Sequence, residues 1–137
     1  MMIYNADNGT LNMEETEMDY IVFGKGHKPL IFIPGLGDSL KSVKGSALMF
    51  AFLYRMFAHD YRVYVFSRKN KLKPNCSTRD MAADLAWAMK QLGIEKADVV
   101  GISQGGMIAQ YLAADFAERV EKLVLAVTLC RQNETSR

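Results

Sequence analysis

The sequence predicts an α/β fold, a mostly parallel sheet flanked by helices. Two observations carry this. Short apolar runs alternate with segments of helical periodicity, the pattern of strand–helix–strand units. In addition, Val99-Val100-Gly101-Ile102-Ser103-Gln104-Gly105-Gly106 runs from an apolar strand, through Gly-x-Ser-x-Gly, straight into a helix.

The elements follow in order. Asn8-Gly9, within Asn5-Ala6-Asp7-Asn8-Gly9, is a hairpin signal. Strands are therefore expected up to Tyr4 and over residues 18–23. Gly24 to Pro29 reads as a loop. Leu30-Ile31-Phe32-Ile33 is apolar throughout, as befits a buried parallel strand, and Pro34-Gly35-Leu36-Gly37-Asp38 breaks it. Residues 43–58 are apolar nearly all round, which predicts a buried or pocket-lining helix. Arg62-Val63-Tyr64-Val65-Phe66 is the next strand. A basic loop holding Arg68, Lys69, Lys71 and Lys73 follows, and such a run is usually solvated.

Ser77-Thr78-Arg79-Asp80 has the form of a capping box opening a helix. Met81, Leu85, Ala88, Met89 and Leu92 share one face of it, and Gly93 is a natural stop. Residues 97–102 read as a strand, 104–116 as a helix and 122–129 as a strand, before a polar tail. In open α/β sheets ligands bind at the carboxyl ends of the strands. The loops after Ile33, after Phe66 and at Ser103 should therefore meet at one edge.

Composition narrows the function. The chain has 137 residues, half of them hydrophobic, enough for one modest core, so residues 1–137 are expected to form a single domain. With 17 basic and 15 acidic residues, nothing points to nucleic acid. The longest apolar stretch, residues 47–54, is too short to span a bilayer, so no membrane association is expected. Cys76 and Cys130 show no metal-type or paired spacing. Free thiols and the lack of a secretion signal at the start suit a cytoplasmic protein. No metal or other cofactor is expected.

Ser103 carries the chemistry. Three fixed residues match by chance in about one chain in twenty of this length, so the five-residue pattern is weak by itself. The strand before it and the helix after it make it a nucleophile elbow, a sharp turn that exposes the serine hydroxyl above the sheet. Such a serine needs donors for the oxyanion that forms on the attacked carbonyl. The backbone N–H groups of Leu36 and Gln104 are the candidates, with Gly35 and Gly37 keeping the first loop bare. The serine also needs a base. His27 and His59, the chain's two histidines, both precede strands and so fall at the opposite edge. A strand of five residues is about 17 Å long, whereas a base must come within about 3.2 Å of the hydroxyl. No general base and no triad acid is therefore expected from this chain. Glu134 lies in the polar tail.

These residues resemble the α/β-hydrolase family. The resemblance includes the apolar strand followed by Pro34-Gly35-Leu36-Gly37-Asp38, and the Thr78-Arg79-Asp80-Met81-Ala82-Ala83-Asp84-Leu85 helix leading to Leu92-Gly93-Ile94. It continues through Asp98-Val99-Val100-Gly101-Ile102-Ser103-Gln104-Gly105-Gly106-Met107-Ile108-Ala109 and the run from Arg119 to Leu125. The resemblance implies that Ser103 is the nucleophile and that Leu36 and Gln104 form the oxyanion hole. It implies that the acid and the histidine come later in the fold than the elbow, in that order. The chain is accordingly expected to be the amino-terminal part of a truncated α/β-hydrolase fold. A serine rather than an aspartate at the elbow argues against the dehalogenase and epoxide-hydrolase branches.

The expected function is hydrolysis of a small-molecule carboxylic ester or thioester through an acyl-serine intermediate. The alternative is a non-catalytic product or pseudo-enzyme. It would bind a small apolar ligand, or self-associate or be complemented through the flat apolar strand at Leu123-Val124-Leu125-Ala126-Val127.

Overall fold

A computed structural model describes residues 7–12, 16–33, 59–69, 77–102 and 104–126. Six strands form one sheet: β1 (Asp7–Asn12), β2 (Glu17–Phe23), β3 (Lys28–Ile33), β4 (Tyr61–Lys69), β5 (Ala97–Ile102) and β6 (Val120–Ala126). Two helices are described, α1 (Thr78–Gln91) and α2 (Gln104–Asp115), with a 3₁₀ turn at Ala117–Arg119. The spatial order is β1-β2-β4-β3-β5-β6. β1, β2 and β4 pair antiparallel; β4, β3, β5 and β6 pair parallel. The mostly parallel α/β sheet expected from the sequence is therefore present.

Alternation along the strands divides the core in two. Ile31, Ile33, Phe66 and Val99 face one side, where they pack with Met81, Leu85 and Met89 of α1 and with Ile108 and Leu112 of α2. Ile21, Phe23, Leu30, Phe32, Val63 and Val65 face the other. β3 is buried from Leu30 to Ile33, as its unbroken apolar run requires.

α1 begins where its cap demands. The Ser77 side chain accepts from the Asp80 N–H at 3.1 Å, and the Asp80 carboxylate accepts from the Ser77 N–H at 2.9 Å. It ends in a Schellman motif. Gly93 has φ +72°, the Ile94 N–H reaches the Met89 carbonyl at 2.9 Å, and the Gly93 N–H reaches the Lys90 carbonyl at 3.2 Å. Both Met89 and Ile94 are buried in the core, completing the apolar contact of that motif.

Three local readings change. The segment around Asn8-Gly9 is strand, not turn: β1 runs through it to Asn12, and β2 begins at Glu17. Gly9 lies opposite Tyr20, and a Cβ at position 9 would meet the tyrosine ring. That glycine serves a close cross-strand approach, which overrides its local turn preference. β4 extends to Lys69, because a register shift between Met18 and Tyr20 lets β4 keep pairing past Phe66. Arg68 and Lys69 are thus strand residues. β6 starts at Val120, two positions earlier than expected. The expected strand before Tyr4, the helix at 43–58, and Lys71 and Lys73 of the basic loop lie outside the described residues.

An ion pair ties the two helices together. The Arg79 guanidinium donates twice to Asp115, at 2.7 and 2.8 Å, and lies 5.6 Å from the Tyr111 ring centroid. Hydrogen bonding from Arg79 holds the Asp115 carboxyl below its ordinary range, against the opposing effect of desolvation. Its folded pKa is therefore below the unfolded one. The stabilisation is present above the ordinary aspartate range and is lost as pH falls through the folded pKa. Asp115→Asn is expected to flatten the acid limb of stability against pH below about pH 5, as read from urea melts.

Among the described residues no helix is long and apolar enough to cross a membrane, and no group of three or more His, Cys, Asp or Glu residues is placed to hold a metal ion.

Candidate active site

β5 ends at Ile102 and α2 begins at Gln104, so a single residue, position 103, connects strand to helix. A link that short requires the backbones to pass very close, and Gly101 makes this possible. A Cβ there would lie 2.6 Å from the Gly105 carbonyl oxygen, 2.7 Å from the Gly106 Cα and 2.8 Å from the Ala109 Cβ. Both Gly105 and Gly106 are buried in this contact. The first residue of the Gly-x-Ser-x-Gly pattern is thus a glycine because the strand and the first turn of α2 touch there.

β5 ends, and α2 begins, at the carboxyl edge of the parallel strands. Ile33, the last residue of β3, pairs in register with Gly101 of β5. β3 therefore ends level with Gly101, one residue before the end of β5. Gln104 is half-buried and opens α2. Its backbone N–H belongs to a helical first turn, whose amides and dipole favour an anion at the position before the helix. No acidic side chain stands in that first turn to oppose one. Ser103 and Leu36 themselves lie outside the described residues.

His27 directly precedes β3, and His59 lies in the turn before β4; both are exposed. Lys28 pairs in register with Tyr61, which puts both imidazoles at the amino edge. From there to the level of Gly101 is five strand residues, about 17 Å. Neither histidine is within reach of the elbow.

One cluster escaped the sequence reading. Asp98 is buried among apolar neighbours in β5 and engages side chains from β3 and β4. Its only sequence signal is a carboxylate interrupting an apolar run.

Comparison with known proteins agrees with this geometry. The family described as alpha/beta hydrolase fold matches residues 28–136. "Epoxide hydrolase 1" of Caenorhabditis elegans is 32% identical over 119 residues, covering 86% of this chain and 30% of that protein. "3-oxoadipate enol-lactonase 2" of Acinetobacter baylyi is 29% identical over 126 residues, covering 91% of this chain and 46% of that protein. A hydrolase from Pseudomonas aeruginosa superposes with a TM-score of 0.78 at 21% identity, over 93% of this chain and 48% of its own. The chain thus spans less than half the length of each of these relatives. With the parallel sheet and the family match over residues 28–136 in agreement, the chain belongs to the α/β-hydrolase fold family.

Proposed function

We propose that the chain carries the nucleophile half of a serine hydrolase acting on a carboxylic ester, lactone or thioester. Ser103 attacks the carbonyl carbon, and the oxyanion is held by the N–H groups of Gln104 and Leu36. Expulsion of the alcohol or thiol leaves an acyl-serine, which water then cleaves. The observation that supports this best is the one-residue link between β5 and α2, with Gly101 packed against Gly105. Elementary chemistry narrows the reaction further. A serine that opened an epoxide would form an ether, with no carbonyl for water to attack, and would not turn over. An acyl-serine is an ester and does.

The proton acceptor is the missing part. Both histidines lie at the amino edge, about 17 Å of strand from the level of Gly101. Without a histidine base, the oxyanion hole and binding alone supply an acceleration of about 10³–10⁴ over water in serine hydrolases. The expectation is a slow reaction of Ser103 with a fluorophosphonate. Mass spectrometry should find one adduct, on the peptide containing residue 103, and none in Ser103→Ala. An adduct that persists in Ser103→Ala contradicts the assignment.

A second reading has its own observation. β6 is an edge strand of the described sheet, and its Leu123, Val124 and Leu125 are 37%, 54% and 40% exposed. An apolar edge of this kind invites pairing with another chain, so the same segment serves self-association or complementation. Gel filtration at low and high concentration tests it: a concentration-dependent shift to larger size is expected, and a monomer at both concentrations contradicts it.

A further inference from the structure

At the amino edge of the sheet, side chains from two neighbouring strands meet one buried carboxylate of a third, and a fourth strand joins through the shared lysine. Asp98, the second residue of β5, is 4% exposed. Its Oδ2 accepts from the Tyr61 hydroxyl of β4 at 3.0 Å and lies 3.4 Å from the Lys28 Nζ of β3. The same Lys28 Nζ lies 3.4 Å from Glu121 Oε2 of β6. The other carboxylate oxygen, Oδ1, is buried and has no hydrogen-bond partner among the described residues. Donation to Asp98, followed by desolvation, raises the Tyr61 pKa. For Lys28, desolvation acts downward but is outweighed by the hydrogen bond and charge of Asp98 and by Glu121, so its pKa is also raised.

Stability does not explain this arrangement. Lys28 is 38% exposed, so its ion pair adds little, and burying Asp98 with an unsatisfied oxygen is commonly no better than packing an apolar side chain of similar volume. Specificity does explain it. Sliding a strand by two residues returns every side chain to its original face, so apolar alternation alone does not forbid the slip. β3 offers Leu30-Ile31-Phe32-Ile33 and β5 offers Val99-Val100-Gly101-Ile102, two runs with little to tell one register from the next. A two-residue slip of β5 replaces Asp98 by Val100 or Lys96 and leaves Lys28 and Tyr61 without their acceptor. It also moves position 103 and Gln104 together by about 7 Å along the sheet, away from the proposed Leu36 donor that follows β3.

We propose that Lys28, Tyr61 and Asp98 form a register key, with Asp98 a positioning residue that fixes the height of β5 and hence of position 103. The key acts through the strand; none of its members touches the reacting atoms. Its effect on reactivity rests on the reading of Ser103 as nucleophile, but its effect on register does not.

The test replaces the whole key by apolar residues, Lys28→Met/Tyr61→Phe/Asp98→Leu. The melting temperature is expected to hold or rise. The NMR amide signals of residues 97–102 are expected to split into two sets or broaden, with loss of the Phe32–Val100 and Val100–Val124 cross-strand contacts. Ser103 phosphonylation is expected to slow by at least about tenfold at full folding, because the donors and hydroxyl no longer coincide. Asp98→Asn keeps an acceptor for Tyr61 and is expected to retain one set of signals and recover most of the rate. A single set of signals with both native contacts in the triple variant overturns the proposal. So does a rate loss that only follows the unfolded fraction. If the triple variant does not fold, Asp98→Asn and Asp98→Leu are compared instead, and identical spectra for the two overturn it. Absence of any phosphonylation in the parent chain sinks the nucleophile reading alone, since the NMR arm still decides the register key.

Discussion

Gly101→Ala is expected to silence Ser103 while leaving the sheet topology intact. The added methyl would sit 2.6 Å from the Gly105 carbonyl oxygen and 2.7 Å from the Gly106 Cα. Both are backbone atoms of a helix that cannot rotate out of the way, so α2 must move off β5. Overpacking of this kind costs about 1–3 kcal/mol, and the displaced first turn takes the Gln104 N–H with it. Phosphonylation at Ser103 should therefore fall much further than the folded fraction does. Gly93→Ala is the matching control. Position 93 has φ +72° but open space around its Cβ. It should cost about 1 kcal/mol from backbone strain alone. It should also leave the rate at Ser103 unchanged in the folded protein. Denaturant melts and labelling rates on the same samples separate the two effects. Equal rates in Gly101→Ala and the parent chain would mean that the strand–helix contact does not shape the elbow.

Which parts of this architecture were legible in the residues depends on how local their causes are. The capping box at Ser77 and Asp80, the stop at Gly93 and the strand–turn–helix at 97–115 are each decided by neighbours within a few positions, and each lies where the sequence puts it. Asn8-Gly9 misleads because its fate is decided by Tyr20 across the sheet, not by its own turn preference. β4 outruns its expected end because an irregular register with β2 absorbs an extra residue. The Asp98 cluster was invisible for the same reason: residues 28, 61, 98 and 121 meet only once β3, β4, β5 and β6 lie side by side. At the candidate site, the short link and the tight glycine contact follow from the motif. The distance of His27 and His59 follows from which ends of β3 and β4 they occupy.

That distance leads to the second large effect. A serine hydroxyl with donors for its oxyanion but no base should respond to a base supplied from solution. Free imidazole is small, and with a pKa of about 7, a little above the histidine side chain's value of about 6.5, it is mostly neutral at pH 7.5. A positioned general base contributes about 10²–10⁴ in rate; a diffusing one recovers part of this, about tenfold at high concentration. The acceleration should scale with the free-base form alone, so at fixed total imidazole it should fade as pH drops below about 7. It should vanish in Ser103→Ala, which separates it from direct attack of imidazole on the probe.

The rate of Ser103 phosphonylation, measured against imidazole concentration and pH, tests the account most directly. It predicts a slow reaction without imidazole, no inflection near the histidine pKa, and a linear rise with free-base imidazole. A fast reaction in imidazole-free buffer that titrates near pH 6.5 and disappears in His27→Gln or His59→Gln would contradict it.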